Sequence, residues 1–233
     1  MEKHFKKLLV VALKSEWIHL KKKYKFENHP DFSNLHILKD FSGVALLQIG
    51  CGLEQAQRSM EKFFEIFSCE SILHFGSCGG LTDELRAGDV VVADSDLFNL
   101  DVELENFLVN SKVRFRKGVI ISSPTVLKNC AEKSECARAH NAIAVDMESR
   151  AVLKACAKRN VACLVVRGVF DELSDDLENL GVPFDQQGNL VPGKVVVNLL
   201  KSPKLILQLP HLQKKAMLVN RQLAKVVEWF VIN

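Results

Sequence analysis

The segment Val161-Ala162-Cys163-Leu164-Val165-Val166 is wholly apolar and runs through Arg167-Gly168-Val169-Phe170 to the carboxylate of Asp171. A run of this kind reads as a strand buried on both faces, which favours a largely parallel sheet covered by helices. Upstream, Ala144-Val145-Asp146-Met147-Glu148-Ser149 places a second carboxylate, Glu148, where a polar, helix-like run begins. Ligands of α/β sheets bind at strand tips. Two acids delivered to one such edge suit chemistry on a polyol joined to a leaving group that needs a proton.

Alternation of strand and helix continues along the chain. Leu8 to Leu13 reads as a buried first strand and Glu16 to Tyr24 as a helix. Leu35 to Leu38 and Val44 to Ile49 read as strands around a turn at Phe41-Ser42-Gly43. Leu53 to Phe67 has helical spacing, with Ala56, Met60, Phe63, Phe64 and Phe67 on one side. Ser71 to Phe75 is predicted as a short strand entering a loop, Gly76-Ser77-Cys78-Gly79-Gly80, whose small residues let a ligand approach the backbone. Gly50-Cys51-Gly52 repeats that logic at another strand end. Further strands are predicted at Val90 to Ala93, Lys117 to Ser122 and Val161 to Val169, and helices at Asp146 to Arg159, Lys194 to Leu200 and Gln213 to Val231. Pro203 and Pro210 are expected to break the chain between the last two. Glu172 to Asn189, rich in acids, Gly and Gln, is the expected flexible stretch.

A length of 233 residues fits one domain, residues 1–233, with 201–233 a basic amphipathic tail. The net charge of +3 is too mild to argue for a nucleic-acid partner. Seven cysteines, an odd number with no Cys-x-x-Cys spacing, argue for a reducing, cytoplasmic setting. The apolar run Leu8 to Leu13 is too short for a signal-peptide core, and no run approaches the length of a membrane span. No Cys/His spacing fits a metal site. The nucleotide-phosphate fingerprints are absent, and no motif calls for a cofactor.

Each candidate residue has two readings. Glu148 is a solvated helix carboxylate or a bidentate acceptor for two vicinal hydroxyls. Asp171 is a helix N-cap or a buried carboxyl whose raised pKa makes it a general acid. Glu16 is a first-turn glutamate favoured by the helix dipole or a base at the end of the first strand. His74 reads as structural, and Ser77 has no neighbours that would make it a nucleophile.

Six short stretches, in order, carry a resemblance. They are Val11-Ala12-Leu13-Lys14-Ser15-Glu16, Gly50-Cys51-Gly52 with Ala56, Gly76 to Leu81, Gly88 to Ala93, Val145 to Glu148, and Val165-Val166-Arg167 with Asp171. With them the chain resembles the nucleoside phosphorylase/nucleosidase superfamily, and within it the methylthioadenosine/S-adenosylhomocysteine nucleosidases. From Leu180 to Ala224 it is also similar to a hopanoid-associated subgroup that removes adenine from an adenosylated lipid. The resemblance implies an α/β fold with a central mixed, partly barrel-like sheet flanked by helices. It implies hydrolysis of the N-glycosidic bond of a 5′-substituted adenosine, in a homodimer. Asp171 would protonate the departing purine and Glu16 would orient or deprotonate the attacking water. Glu148 would hold the ribose hydroxyls, with Met147 packed on the sugar. Ser77 would lie near the nucleophile, Arg167 would support the acid-bearing loop, and Val126 and Leu127 would line the base pocket.

Two departures from the family pattern stand out. Phe170 replaces the serine that usually precedes the catalytic aspartate. His74 and Leu13-Lys14-Ser15 stand where phosphorolytic relatives keep a phosphate-binding arginine and a Gly-Asp-Pro loop. Water is therefore the expected nucleophile, with a phosphorylase and a non-catalytic nucleoside-binding protein as the alternatives. In the tail, apolar residues interleaved with Lys204, Lys214, Lys215, Arg221 and Lys225 read either as a docked terminal helix, which is favoured, or as a membrane-surface helix.

Overall fold

Strand β10 (Ala162–Asp171) runs through the middle of the molecule because its side chains have apolar partners on both sides. In the computed structural model, which describes residues 3–94, 99–177 and 203–233, Leu164 and Val166 face one core cluster while Cys163 and Val165 face another. This is the two-residue period of a strand buried on both faces. The first cluster is completed by helix α6 (Pro203–Ile232), which buries Val219, Leu223, Val226, Val227, Trp229 and Phe230. The second is completed by α2 (Leu53–Ile66) and α5 (Ser149–Arg159), through Ala56, Met60, Phe63, Phe64, Ala151, Val152 and Ala155.

Among the described residues one ten-stranded sheet forms. Its path is β2 (Phe26–His29), β3 (Phe32–Leu38), β4 (Val44–Gln48), β1 (His4–Val11), β5 (Ser68–Gly80), β10, β6 (Val90–Ala93) and β7 (Phe115–Gly118). The far end of β5 also pairs with β9 (Ala144–Asp146), and β9 pairs with β8 (Ile120–Ser122). Only Val119 separates β7 from β8, so the path from β5 through β10, β6, β7, β8 and β9 returns to β5. This half of the sheet curls into the expected partial barrel.

Several elements differ from the sequence expectation. The sheet is mixed, as the resemblance implies, and not the largely parallel one that the alternation of strand and helix favours: the β2–β3, β3–β4, β5–β9 and β6–β10 pairings are antiparallel. The helix expected over Glu16 to Tyr24 is one α-turn, α1 (Lys14–Trp17), followed by a 3₁₀ helix, Ile18–Lys22. The tighter winding stacks residues three apart, which buries Trp17 and Leu20 together. Residues Gly76 to Gly80 are not a loop but the end of the 13-residue β5. The helix expected from Asp146 starts only at Ser149, because Ala144–Asp146 is drawn into the sheet. The strand expected over Lys117 to Ser122 is divided at Val119.

Pro203 and Pro210 do not break the tail. Pro203 opens α6, where a missing N–H costs nothing, and Pro210 is accommodated inside it. Strand β2, α3 (Asn99–Asn110) and α4 (Cys130–His140) had no counterpart in the sequence reading. The helix expected at Lys194 to Leu200 lies outside the described residues. So do most of the expected flexible stretch and residues 180–202 of the subgroup resemblance. No helix among the described residues is long and apolar enough to cross a membrane.

Contact between β10 and α6 depends on Gly168. A Cβ there would stand 2.6 Å from Val219 Cγ1 and 3.4 Å from Leu223 Cγ. Gly168→Ala should destabilise the protein by about 1–3 kcal/mol through overpacking. A drop in the urea midpoint without a change in slope is the expected reading.

Candidate active site

The C-terminal half of β5 passes beneath Glu16 and Asp171. Glu16 comes from α1, directly after β1, and is 8% exposed. Its Oε2 accepts a hydrogen bond from the Leu13 N–H at 2.9 Å, which fixes the helix start. Its Oε1 accepts from Ser77 N at 2.8 Å and from Ser77 Oγ at 2.7 Å. The side chain crosses the strand over Gly76, where a Cβ would lie 2.8 Å from Glu16 Oε1 and 2.7 Å from Arg167 Nη1. Glycine is needed at position 76 for this close approach, not for a turn.

Glu148 is the N-cap residue of α5, and it is buried. Its Oε1 accepts from Gly52 N at 2.8 Å, so the loop after β4, in which Gly50 and Gly52 have positive φ, is tied to the same site. Burial pushes the Glu148 carboxyl above its usual range, against the opposing pull of Arg167 and the Gly52 N–H. Met147, its neighbour, is half-buried.

Arg167 lies beneath, 1% exposed. It binds Asp146 Oδ2 through Nε at 2.7 Å and Nη2 at 2.6 Å, Ser149 Oγ at 2.8 Å and His74 Nε2 at 2.5 Å. His74 bonds the Val10 carbonyl through Nδ1. Burial, and then the adjacent guanidinium, lower its pKa to about 3, so the ring is neutral and accepts from Arg167. Burial alone would raise Asp146, but Arg167 and hydrogen bonds from Ser122 and Ser149 hold its carboxyl below the usual range. The contacts of Arg167 therefore brace the Asp146-to-Ser149 corner rather than the loop bearing Asp171.

Asp171 closes β10 at a register shift in the β5 pairing: Val169 lies opposite Cys78 and Asp171 opposite Gly79, leaving Phe170 unpaired between them. Phe170 packs against the core on the α6 side. The Asp171 side chain is 14% exposed and lies over Gly79, where a Cβ would be 3.0 Å from Oδ2. Burial raises its pKa, opposed chiefly by Lys133, whose Nζ is 2.6 Å from Oδ2. Val126 and Leu127 are half-buried in the segment after β8. Leu127 packs with Leu81, Ala142 and Val145, and the Leu177 N–H to Lys128 carbonyl bond joins this segment to the chain beyond Asp171.

Glu16 and Asp171 thus lie over the C-terminal half of β5, which also carries Ser77, and Glu148 is near enough to Glu16 and Arg167 for their charges to act on its carboxyl. The glycines under Glu16 and Asp171 are three residues apart, roughly 10 Å along a strand. Sequence reasoning missed Asp146 as the anchor of Arg167, although it stood in a quoted stretch. It also missed Lys133, for which the sequence carries no signal. Among the described residues no cluster of His, Cys, Asp and Glu could hold a metal ion.

A 5′-methylthioadenosine/S-adenosylhomocysteine nucleosidase of Buchnera aphidicola subsp. Acyrthosiphon pisum is 28% identical over 193 residues, 71% of this chain and 80% of the relative. A protein of the same name from Staphylococcus aureus is 25% identical over 169 residues, 61% of this chain and 74% of the relative. In fold, the chain resembles a Helicobacter pylori MTAN mutant with 5′-methylthioadenosine in the active site, with a TM-score of 0.71, 17% identity, and coverage of 96% of this chain and 98% of that one. It likewise resembles futalosine hydrolase of Helicobacter pylori, with a TM-score of 0.69, 17% identity, and coverage of 96% and 97%. The model of the Phosphorylase superfamily matches residues 8–105 and 97–188, a span that takes in every acidic residue of the site, and the chain belongs to that superfamily.

Proposed function

We propose that the protein is a purine nucleosidase that cleaves the N-glycosidic bond of a 5′-substituted adenosine with water and releases adenine. The observation that carries this is that Glu16 and Asp171 both lie over glycines of the β5 end, while Glu148 is buried within reach of the charges of Arg167 and Glu16 and held by the Gly52 N–H. The names of the matched relatives support it.

In this reading Asp171, a carboxyl whose pKa burial raises, gives its proton to a ring nitrogen of the base as the C–N bond breaks. The bonding electrons leave with the base. Glu148 accepts hydrogen bonds from the ribose hydroxyls, and Met147 packs on the sugar. Positive charge developing on the sugar is stabilised by the flanking carboxylates. Water adds its hydroxyl to the anomeric carbon and its proton passes to Glu16, which Ser77 holds in place. Arg167 keeps the Glu148 corner rigid, and Val126 and Leu127 line the base pocket. The same proposal makes the chain one domain and a cytoplasmic homodimer; seven cysteines with no Cys-x-x-Cys spacing suit a reducing compartment.

Water is favoured over phosphate because His74, at the position of the phosphate-binding arginine, is fully buried with both ring nitrogens engaged. A panel of 5′-methylthioadenosine, S-adenosylhomocysteine, futalosine, adenosine, inosine and a lipid-tailed 5′-adenosyl compound tests this. With and without phosphate, released bases are identified by mass. Adenine release at the same rate in both is the expected result. Strict phosphate dependence with a ribose 1-phosphate product would make the protein a phosphorylase. Binding without turnover would make it a nucleoside-binding protein.

A further inference from the structure

Helix α4 carries no apolar stripe, and its one buried residue is a lysine. Lys133 is fully buried. An ammonium in that position is tolerated only when its protons are satisfied, and the three donors of Lys133 have three acceptors. These are Asp171 Oδ2 and the Glu172 carbonyl, both at 2.6 Å, and the Asp175 carbonyl at 3.3 Å. The turn that supplies the two carbonyls is itself held, since Asp175 Oδ2 accepts from Glu172 N at 2.8 Å and from Lys215 Nζ of α6 at 2.5 Å.

We propose that Lys133 is the positioning residue of the proton donor: it fixes Asp171 through Oδ2, directs Oδ1 to the leaving base, and is the counter-cation of the carboxylate that proton transfer leaves behind. This rests on the reading of Asp171 as general acid. The proton on Oδ1 passes to a ring nitrogen of the base, the C–N electrons go to the base, and the Asp171 carboxylate pairs with the Lys133 ammonium. Glu16 has meanwhile gained the proton of the attacking water, so exchange with solvent resets both acids.

The pairing also accounts for Phe170. With a lysine from another element gripping the acid, residue 170 is released to pack against the core.

The physical need is specific. A carboxyl buried this deeply is a weak acid, and ionising it in a dry site is costly unless a cation is already in place. Among the described residues the charged and titratable groups around it are few. They are Lys133 from α4, Asp175 and Glu172 from the following turn, Lys215 from α6 acting through Asp175, and the buried thiol of Cys78 on β5. Glu172 turns its carboxylate away, to the Ala87 N–H and Arg86. Among the described residues Lys133 is the cation in direct contact.

Lys133→Met tests the proposal by two readouts on the full chain. One is the carboxyl ¹³C titration of Asp171, assigned by comparison with Asp171→Asn. The other is the pH profile of base release. Removing an adjacent cation should raise the Asp171 midpoint by about 1–3 pH units. The alkaline limb of the profile should move up equally, while the plateau rate falls about tenfold because the donor has become a weaker acid. A purely structural Lys133 would lower yield or stability and move neither midpoint nor limb, and that result overturns the proposal. If the variant does not fold, the Lys133 ¹⁵Nζ resonance of the wild-type protein decides. It should shift at the Asp171 midpoint, and a flat response overturns the pairing. A moved carboxyl midpoint with no base released from any nucleoside would instead sink the proposed function and leave the pairing standing.

Discussion

Asp171→Asn is expected to slow base release by about 10²–10⁴, the usual contribution of a general acid. The exchange keeps the shape of the side chain and a carbonyl for Lys133, but removes the only proton it could give. Substrate affinity should change little, because the proposed ribose contacts come from Glu148. In the wild-type protein the pKa of Asp171 is raised by burial, so the active, protonated form is lost as pH rises through that value. The alkaline limb of the rate profile should follow it and vanish in the Asn variant. Steady-state rates across pH, with circular dichroism to verify folding, check both statements. A variant with undiminished turnover would remove Asp171 from the mechanism.

Arg167→Met should produce the largest loss of stability, about 3–5 kcal/mol, because it breaks a buried ion pair by removing one partner. Asp146 would be left 1% exposed with no cation, and His74 and Ser149 would each lose a donor. The pH dependence has a definite sign. With Arg167 present the folded-state pKa of Asp146 is depressed. Its ionisation therefore stabilises the fold above the unfolded value of about 3.9, and that contribution is lost as pH falls through the depressed pKa. Without Arg167, burial raises the pKa of Asp146 instead, and the native state is penalised wherever the unfolded chain has ionised it. The gap between wild type and variant should be widest at neutral pH and narrow as pH falls below about 4. Urea unfolding at a series of pH values measures it. A gap independent of pH would place the role of Arg167 in packing alone.

Much of the fold was legible because a strand buried on both faces and a helix buried on one leave periodic traces. The run ending at Asp171 is such a strand, and the apolar spacing from Leu53 announced α2. Reading failed where a local pattern had two tertiary outcomes. Gly76 to Gly80 looks like a loop because glycine disfavours a strand, yet β5 continues through it, since missing Cβ atoms make room for Glu16, Arg167 and Asp171. Ala144 to Asp146 looks like the start of α5, yet pairing with β5 and β8 holds it extended.

The sequence by itself determined the strand-and-helix alternation and the order of the short stretches that mark the superfamily, and it singled out Glu16, Glu148 and Asp171 as candidate acids. What surrounds those acids was decided only by tertiary structure. Lys133 sits in a stretch, Ala131-Glu132-Lys133-Ser134-Glu135, that reads as solvated, and Arg167 in an apolar run reads as an exception without a partner. Charge on one element reports nothing about the element it will face. The ion pairs of Lys133 with Asp171 and of Arg167 with Asp146 join residues 38 and 21 positions apart. Each exists because packing brought the two groups together where water could not replace either partner.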